Sequence, residues 1–272
     1  SNGRTQHQKP WPSAMQFVGR YLATLLMNRY QITFETWDKV AALYQEKFMD
    51  LDLYDDTYDI FCGLFKMKQP DILEVGCGPG NITRYLISKR PGFKIIATDV
   101  SVNMINLAKQ NNPTVDFKVL DCRQIESITT KFDGIVCGFC LPYLSKEDCV
   151  KFFKDSFHLL KSGGFLYFSA IEGDYSQSKY ETGSTGDKCF VYYYSESDFK
   201  NELDKLGFRF VYSIKKGFPK NDESKQTHLI LIVQKNKTAP NSALPKSRAD
   251  GSYSAFGRYS ASVTGGRVTF KI

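Results

Sequence analysis

Between residues 71 and 170 the chain switches repeatedly between short apolar runs and segments whose apolar positions recur every three or four residues. The runs Ile72–Val75, Lys94–Thr98, Asp116–Leu120, Gly134–Cys137 and Phe165–Ala170 predict strands. Asn81–Ser88, Val102–Gln110 and Lys146–Leu160 predict helices between them, and Gln124–Ile128 a short helical connection. Leu141–Leu144 is a further apolar run, and the turn Lys161–Gly164 ends the last helix. Alternating strands and helices mean a parallel sheet with right-handed crossovers. Such sheets hold ligands beyond the carboxyl ends of their strands.

Outside this region the pattern changes. Thr33–Phe48 has a helical period through Phe34, Trp37, Val40, Ala41, Tyr44 and Phe48, and Asp55–Phe65 predicts a second helix. Residues 171–188 are polar and rich in Gly, Ser and Thr, which predicts a long functional loop. Ser195 and Asp198 open a helix over Glu196–Leu206 as a variant capping box, and Gly207 stops it. Arg209–Ile214 and His228–Gln234 predict two closing strands, paired as an antiparallel hairpin across the polar stretch Lys215–Thr227. Residues 1–26 and 236–272 lack apolar periodicity and predict disordered or non-native segments flanking a domain at 27–235; within the second, Val263–Ile272 has the composition of a short strand.

The net charge of +7 invites a nucleic-acid reading, but its location argues against one. Residues 235–272 carry seven Lys or Arg and one acid, and residues 1–26 carry three and none. The rest holds 26 basic and 28 acidic side chains, so the folded core lacks the basic excess that nucleic acid requires. Seven cysteines form no disulfide framework, and the pair Cys137 and Cys140 has no second pair at zinc spacing. They read as buried free thiols of a reducing compartment, with no metal site, and localisation is expected to be cytoplasmic. No stretch reaches the length of apolar residues that spans a bilayer.

The chemistry gathers at D-I-L-E-V-G-C-G-P-G-N-I, residues 71–82. Gly76, Gly78 and Gly80 sit between a strand and a helix, where a backbone without Cβ atoms can approach a ligand. The dinucleotide fingerprint G-x-G-x-x-G would need a glycine where this chain has Asn81. That departure favours a nucleoside ligand without a pyrophosphate. Asp99 ends the next strand, 23 residues past Gly76, where a carboxylate can accept both ribose hydroxyls. Its alternative role is to cap the helix that follows, which Ser101 could do instead.

These motifs, with D-V-S-V-N-M, D-C at 121–122 and F-D-G-I-V-C-G-F-C-L-P-Y-L at 132–144, resemble class I S-adenosylmethionine-dependent methyltransferases. L-L-K-S-G-G-F-L at 159–166 and Y-S-E-S-D-F at 194–199 extend the resemblance, which runs from about residue 30 to 235. It is nearest to small-molecule enzymes related to trans-aconitate methyltransferase. The resemblance implies an α/β, Rossmann-like seven-stranded sheet, mostly parallel, with helices on both faces and the antiparallel hairpin at its end. It implies S-adenosylmethionine as cofactor and S-adenosylhomocysteine as product. Asp99 would bind ribose and Met104 would lie against adenine. Asp121 would take the adenine amino group, with the backbone N–H of Cys122 facing the ring. Gly138 would line the methionyl part. Glu74 would meet the cofactor's cationic side or hold backbone amides of the glycine turn. The helices at 30–65 would form a lid over the cofactor, or pack on the sheet edge.

A sulfonium methyl is already electrophilic, so alignment and exclusion of water would supply most of the catalysis. A general base is needed only for a protonated acceptor. Tyr143, Glu172, Asp174 and Tyr194 are weak candidates; His158 reads as a packing or capping residue, and His228, at the start of the last strand, is a poor candidate. G-F-C-L-P-Y stands where N-P-P-Y marks amino- or base-methylating enzymes, which argues against nucleobase N-methylation and leaves other acceptors open. The alternatives are a cofactor-binding protein without transferase activity and an RNA methyltransferase. The sequence leaves the acceptor atom and the oligomeric state open.

Overall fold

The computed structural model describes residues 29–220 and 224–237, and the backbone of 262–264 and 267–269. Two units separate, Ser1–Pro240 and Asn241–Ile272. In the second, Ser262–Thr264 and Arg267–Thr269 pair as a short antiparallel ribbon. The segment 1–26, and most of 236–272, lie outside the described residues.

The first unit is built on strands β1 (Asp71–Val75), β2 (Lys94–Asp99), β3 (Asp116–Val119), β4 (Phe132–Cys137) and β5 (Leu160–Glu172). These five run parallel in the order 3-2-1-4-5. The closing hairpin of β9 (Phe208–Pro219) and β10 (Lys225–Lys235) adds antiparallel to β5 through β10. Seven strands thus form the main path, as the resemblance implies, and a two-residue strand, β8 (Tyr193–Tyr194), pairs with the end of β5.

Strand alternation builds a core on each face. Leu73, Val75, Ile135 and Leu231 pack with Phe152 and Phe153 of α6 (Lys146–Leu159) and Phe199 of α7 (Glu196–Leu206). Ile72, Ile95, Val136 and Ile230 face the other way, toward Phe61 of α3 (Asp55–Gly63), Leu86 of α4 (Asn81–Lys89) and Ile105 of α5 (Val102–Asn111). Burying one such side chain contributes roughly 1.5–3 kcal/mol, so both helical layers are held chiefly by apolar area. Ser195 and Asp198 form a full capping box on α7, and Gly207 ends it at φ 89°.

Three elements differ from the sequence reading. The helix expected over Thr33–Phe48 is two helices, α1 (29–39) and α2 (Ala41–Phe48), jointed at Val40, which offers no side-chain cap. The expected loop at 171–188 contains a β-hairpin, β6 (Lys179–Thr182) with β7 (Lys188–Val191). Its turn is T-G-S-T-G-D, with Gly186 at φ 81° and the Gly183 N–H donating to Asp187 O. Finally, Lys161–Gly164 belongs to β5 rather than forming a turn before it, with a register shift against β4 at this point.

Candidate active site

The glycine turn leaves β1 with the N–H groups of Gly76 and Cys77 both donating to Thr98 O, at 2.8 and 2.9 Å. That bond pair ties the end of β1 to β2 and opens the mouth of the sheet. Gly80 sits at φ 82°, where a side chain is strained, and its added Cβ would lie 2.5 Å from Asn112 Nδ2. Asn112 in turn donates to Gly80 O at 3.0 Å, so the entry to α4 is pinned from α5. A Cβ on Gly76 would reach within 3.0 Å of Cys140 Cβ and narrow the mouth.

Asp99 ends β2 at that mouth. One carboxylate oxygen accepts the Gly78 N–H and the other the Ser101 N–H, both at 2.9 Å. An ionised carboxylate has about four lone-pair sites, so acceptor capacity remains for two hydroxyls. Burial raises the Asp99 pKa, those backbone N–H groups pull it down, and nearby Asp38 adds to the rise. Ser101 is the cap of α5, accepting from Met104 N and donating to Asp38. The two roles weighed for Asp99 are thereby divided between two residues.

Two cavities meet over the turn. The first, about 110 Å³, is lined by Gly76, Gly78, Asp99, Met104, Cys122 and Gly138, with Leu120 and Phe34 as apolar walls. The second, about 290 Å³, shares Gly76, Gly78, Gly138, Phe139 and Tyr143 with the first and extends toward β10. Trp37 of α1 and Tyr44 of α2 line both, their rings edge to face at 5.5 Å across the joint at Val40. The buried Trp37 Nε1 has no hydrogen-bond partner among the described residues.

The remaining predicted residues lie elsewhere. Gly80 shapes the turn from behind the cavities. Glu74 alternates to the α4 face of the sheet, so it is fully buried and accepts the Thr83 hydroxyl at 2.6 Å. Burial pushes its pKa up to about 8 against the Thr83 bonds, and its Oε1 is unpartnered. Asp121 accepts the Arg123 N–H and its guanidinium, with contacts of 2.5–3.1 Å, and stands outside both cavities. Of the base candidates only Tyr143 reaches the cavities. Glu172 pairs with Lys215, Asp174 caps a short turn over Tyr175–Gln177, and the Tyr194 hydroxyl is spent on Leu144 O.

His228, a poor base candidate from sequence, lines the second cavity with Tyr54, Phe139 and Phe218. Sequence placed it at the start of a strand but gave no signal of what it faces, because its neighbours Tyr54, Phe139 and Phe218 come from other parts of the chain. Phe139 is held at φ 57°, the one non-glycine in that region among the described residues, with its N–H donating to Ser169 Oγ at 2.7 Å. Such conformations persist where surrounding structure fixes them, commonly at sites. All seven cysteines are free, and among the described residues no group of three metal-ligating side chains stands together.

Residues 72–164 match a family model described as a methyltransferase domain. A putative methyltransferase, 235L, of Invertebrate iridescent virus 6 is 39% identical over 36% of this chain and 36% of its own length. The tRNA N(3)-methylcytidine methyltransferase trm141 of Schizosaccharomyces pombe is 27% identical over 58% of this chain and 66% of its own. The chain thus spans between about a third and two thirds of these relatives. Among solved structures, the 1,6-didemethyltoxoflavin-N1-methyltransferase of Burkholderia thailandensis shares the fold at TM-score 0.58 and 15% identity, covering 84% of this chain and 93% of that one. The sheet order and the glycine turn give this chain the fold of class I S-adenosylmethionine-dependent methyltransferases, and residues 72–164 are its methyltransferase domain. S-adenosylmethionine is the cofactor of that class, and the buried Asp99 carboxylate beside an apolar slot fits its nucleoside. No helix among the described residues is long and apolar enough to cross a membrane.

Proposed function

We propose that the chain methylates a small molecule held in the second cavity. The observation that carries this is the junction of the two cavities at Gly76, Gly78 and Gly138. One side has a buried carboxylate and an apolar slot, and the other is an aromatic chamber. Asp99 accepts the ribose hydroxyls, Met104 and Leu120 flank the adenine, and the backbone of Cys122 faces the ring edge. The backbone at Gly138 lines the methionyl part. Glu74 acts on the cofactor through the turn, which it supports from the α4 face by its bond to Thr83. Asp121 keeps its bond to Arg123 and positions the backbone of Cys122.

When bound, S-adenosylmethionine supplies an electrophilic methyl group on sulfonium. The protein's own contribution is placement and drying. Trp37, Tyr44 and Tyr143 wall the junction, hold an acceptor against it and exclude water, and orientation of this kind supplies much of a displacement's acceleration. The domain proper is 27–235, with α1 to α3 as its lid.

Calorimetry with S-adenosylhomocysteine tests the assignment. Asp99→Ala should weaken binding by about tenfold or more, the loss of charge-assisted hydrogen bonds. A folded Asp99→Ala protein that binds as wild type does would sink the cofactor placement. The trm141 relative favours one second reading, an RNA acceptor. Labelled methyl transfer to total tRNA, with none to small-molecule extracts, would replace the first reading with it.

A further inference from the structure

The second cavity has one polar pair on otherwise aromatic walls. Tyr54 Oη lies 2.6 Å from His228 Nδ1, and both side chains are buried and line the chamber. The imidazole stacks on Phe218, centroids 5.1 Å apart at 12°, and meets Phe139 at 5.0 Å. Its other nitrogen, Nε2, lies 3.2 Å from Gln226 Oε1. A carbonyl oxygen can only accept, so Nε2 carries the ring proton and Nδ1 accepts from Tyr54. That choice of tautomer follows from the hydrogen-bond network. Burial holds the imidazole pKa down to about 4, with Lys220 adding to the fall, so the ring is neutral at neutral pH. Lys216, opposite His228 in the β9 ladder, is paired with Asp56.

The charge on the walls is equally informative. Among the described lining residues there is no Lys or Arg, and the one acid, Glu181, accepts the Tyr193 hydroxyl. An anionic acceptor would lose its hydration with no cation to replace it, at a cost of several kcal/mol. An ammonium group would find its one carboxylate already engaged.

We propose that Tyr54 and His228 take the proton from an uncharged aromatic or apolar acceptor that carries a hydroxyl group. This rests on the methyltransferase reading and names the acceptor class of the same site. Tyr54 touches the acceptor and is the catalytic residue, and His228 acts through it. As the acceptor oxygen bonds the methyl carbon, the C–S bond breaks and its electron pair stays on sulfur. The acceptor's proton goes to Tyr54 Oη while the proton of Tyr54 passes to His228 Nδ1. One positive charge leaves sulfur as one appears on imidazolium, so the buried site keeps its net charge. Gln226 holds the opposite edge of the ring and fixes its orientation through the transfer.

The test uses the full chain with 2-naphthol and 2-naphthoate, two probes of one frame that differ in charge and in the hydroxyl. Calorimetry first measures S-adenosylhomocysteine on wild type, Tyr54→Phe and His228→Asn. Binding within about threefold in all three shows folded variants with an intact cofactor site. Failure of wild type to bind it sinks the methyltransferase reading itself, and this inference with it. Each probe is then titrated onto the cofactor-product complex. The expected result is 2-naphthol bound at least about tenfold more tightly than 2-naphthoate, and weakened about fivefold or more by Tyr54→Phe. With labelled S-adenosylmethionine, His228→Asn should lower kcat for 2-naphthol at least about tenfold while its KM stays within threefold. Equal or tighter binding of the naphthoate, no binding of the naphthol, or unchanged kcat in His228→Asn would each overturn the proposal.

Discussion

Glu74 shows how a single buried group governs pH behaviour. Its folded pKa of about 8 lies above the ordinary value of 4.5, because burial disfavours the carboxylate more than Thr83 stabilises it. The folded state therefore holds this proton more tightly than the unfolded chain. The contribution to stability is complete below about pH 4.5 and is lost as pH rises through about 8. Thermal unfolding followed from pH 5 to 9 should show this decline, on the order of a few kcal/mol. Glu74→Gln should flatten it and be relatively more stable at pH 9; an equally steep decline in the variant would disprove the assignment. Gly80→Ala should cost about 2–3 kcal/mol in urea unfolding, combining a left-handed backbone with displacement of Asn112. The positions of Gly76, Gly78, Asp99, Met104, Cys122 and Gly138 at the cavity were legible in sequence, because each lies within five residues of a strand end. Glu74 and Asp121 stand off the cavity walls for a physical reason. Strand alternation and a neighbouring arginine decide where a carboxylate points, and neither is visible in a motif.

At the scale of elements, the joint at Val40 divides the segment 29–48 so that Trp37 and Tyr44 meet over the site from two short helices. Short helices without side-chain caps open at low cost. Hydrogen exchange in 29–48 should therefore slow by about tenfold or more when S-adenosylhomocysteine binds, while β1 and β4 change little. Unchanged exchange there would contradict a lid. The helical period of this segment predicted that it is helical but not that it breaks, since a break at one residue leaves the apolar positions in phase. The hairpin β6–β7 was hidden for a different reason. Its strands have only four residues each, and the exposed Lys179, Tyr180 and Thr182 dilute the alternation. Its turn residues did announce polarity and bends, which is why a loop was expected.

For the whole molecule, the question is whether the basic end of the chain belongs to the reaction. Residues 241–272 form a unit of their own, and the described lining residues of both cavities lie between Thr33 and His228. Charge separates the same way, with the excess of Lys and Arg lying before residue 27 and after residue 234. A basic segment binds nucleic acid chiefly through phosphates, with an affinity that falls steeply as salt rises. Cofactor binding depends instead on Asp99, the glycine turn and apolar walls, all short-ranged. Deleting residues 241–272 should thus leave S-adenosylhomocysteine affinity within about twofold and methyl transfer to a small acceptor intact. It should weaken any binding of tRNA at low salt and reduce the slope of that binding against salt. Calorimetry and a salt series on both proteins read the two effects separately. If the truncated protein instead loses cofactor affinity with its fold intact, the site extends beyond the residues that build it here, and the division of the chain into a catalytic domain and a basic appendage fails.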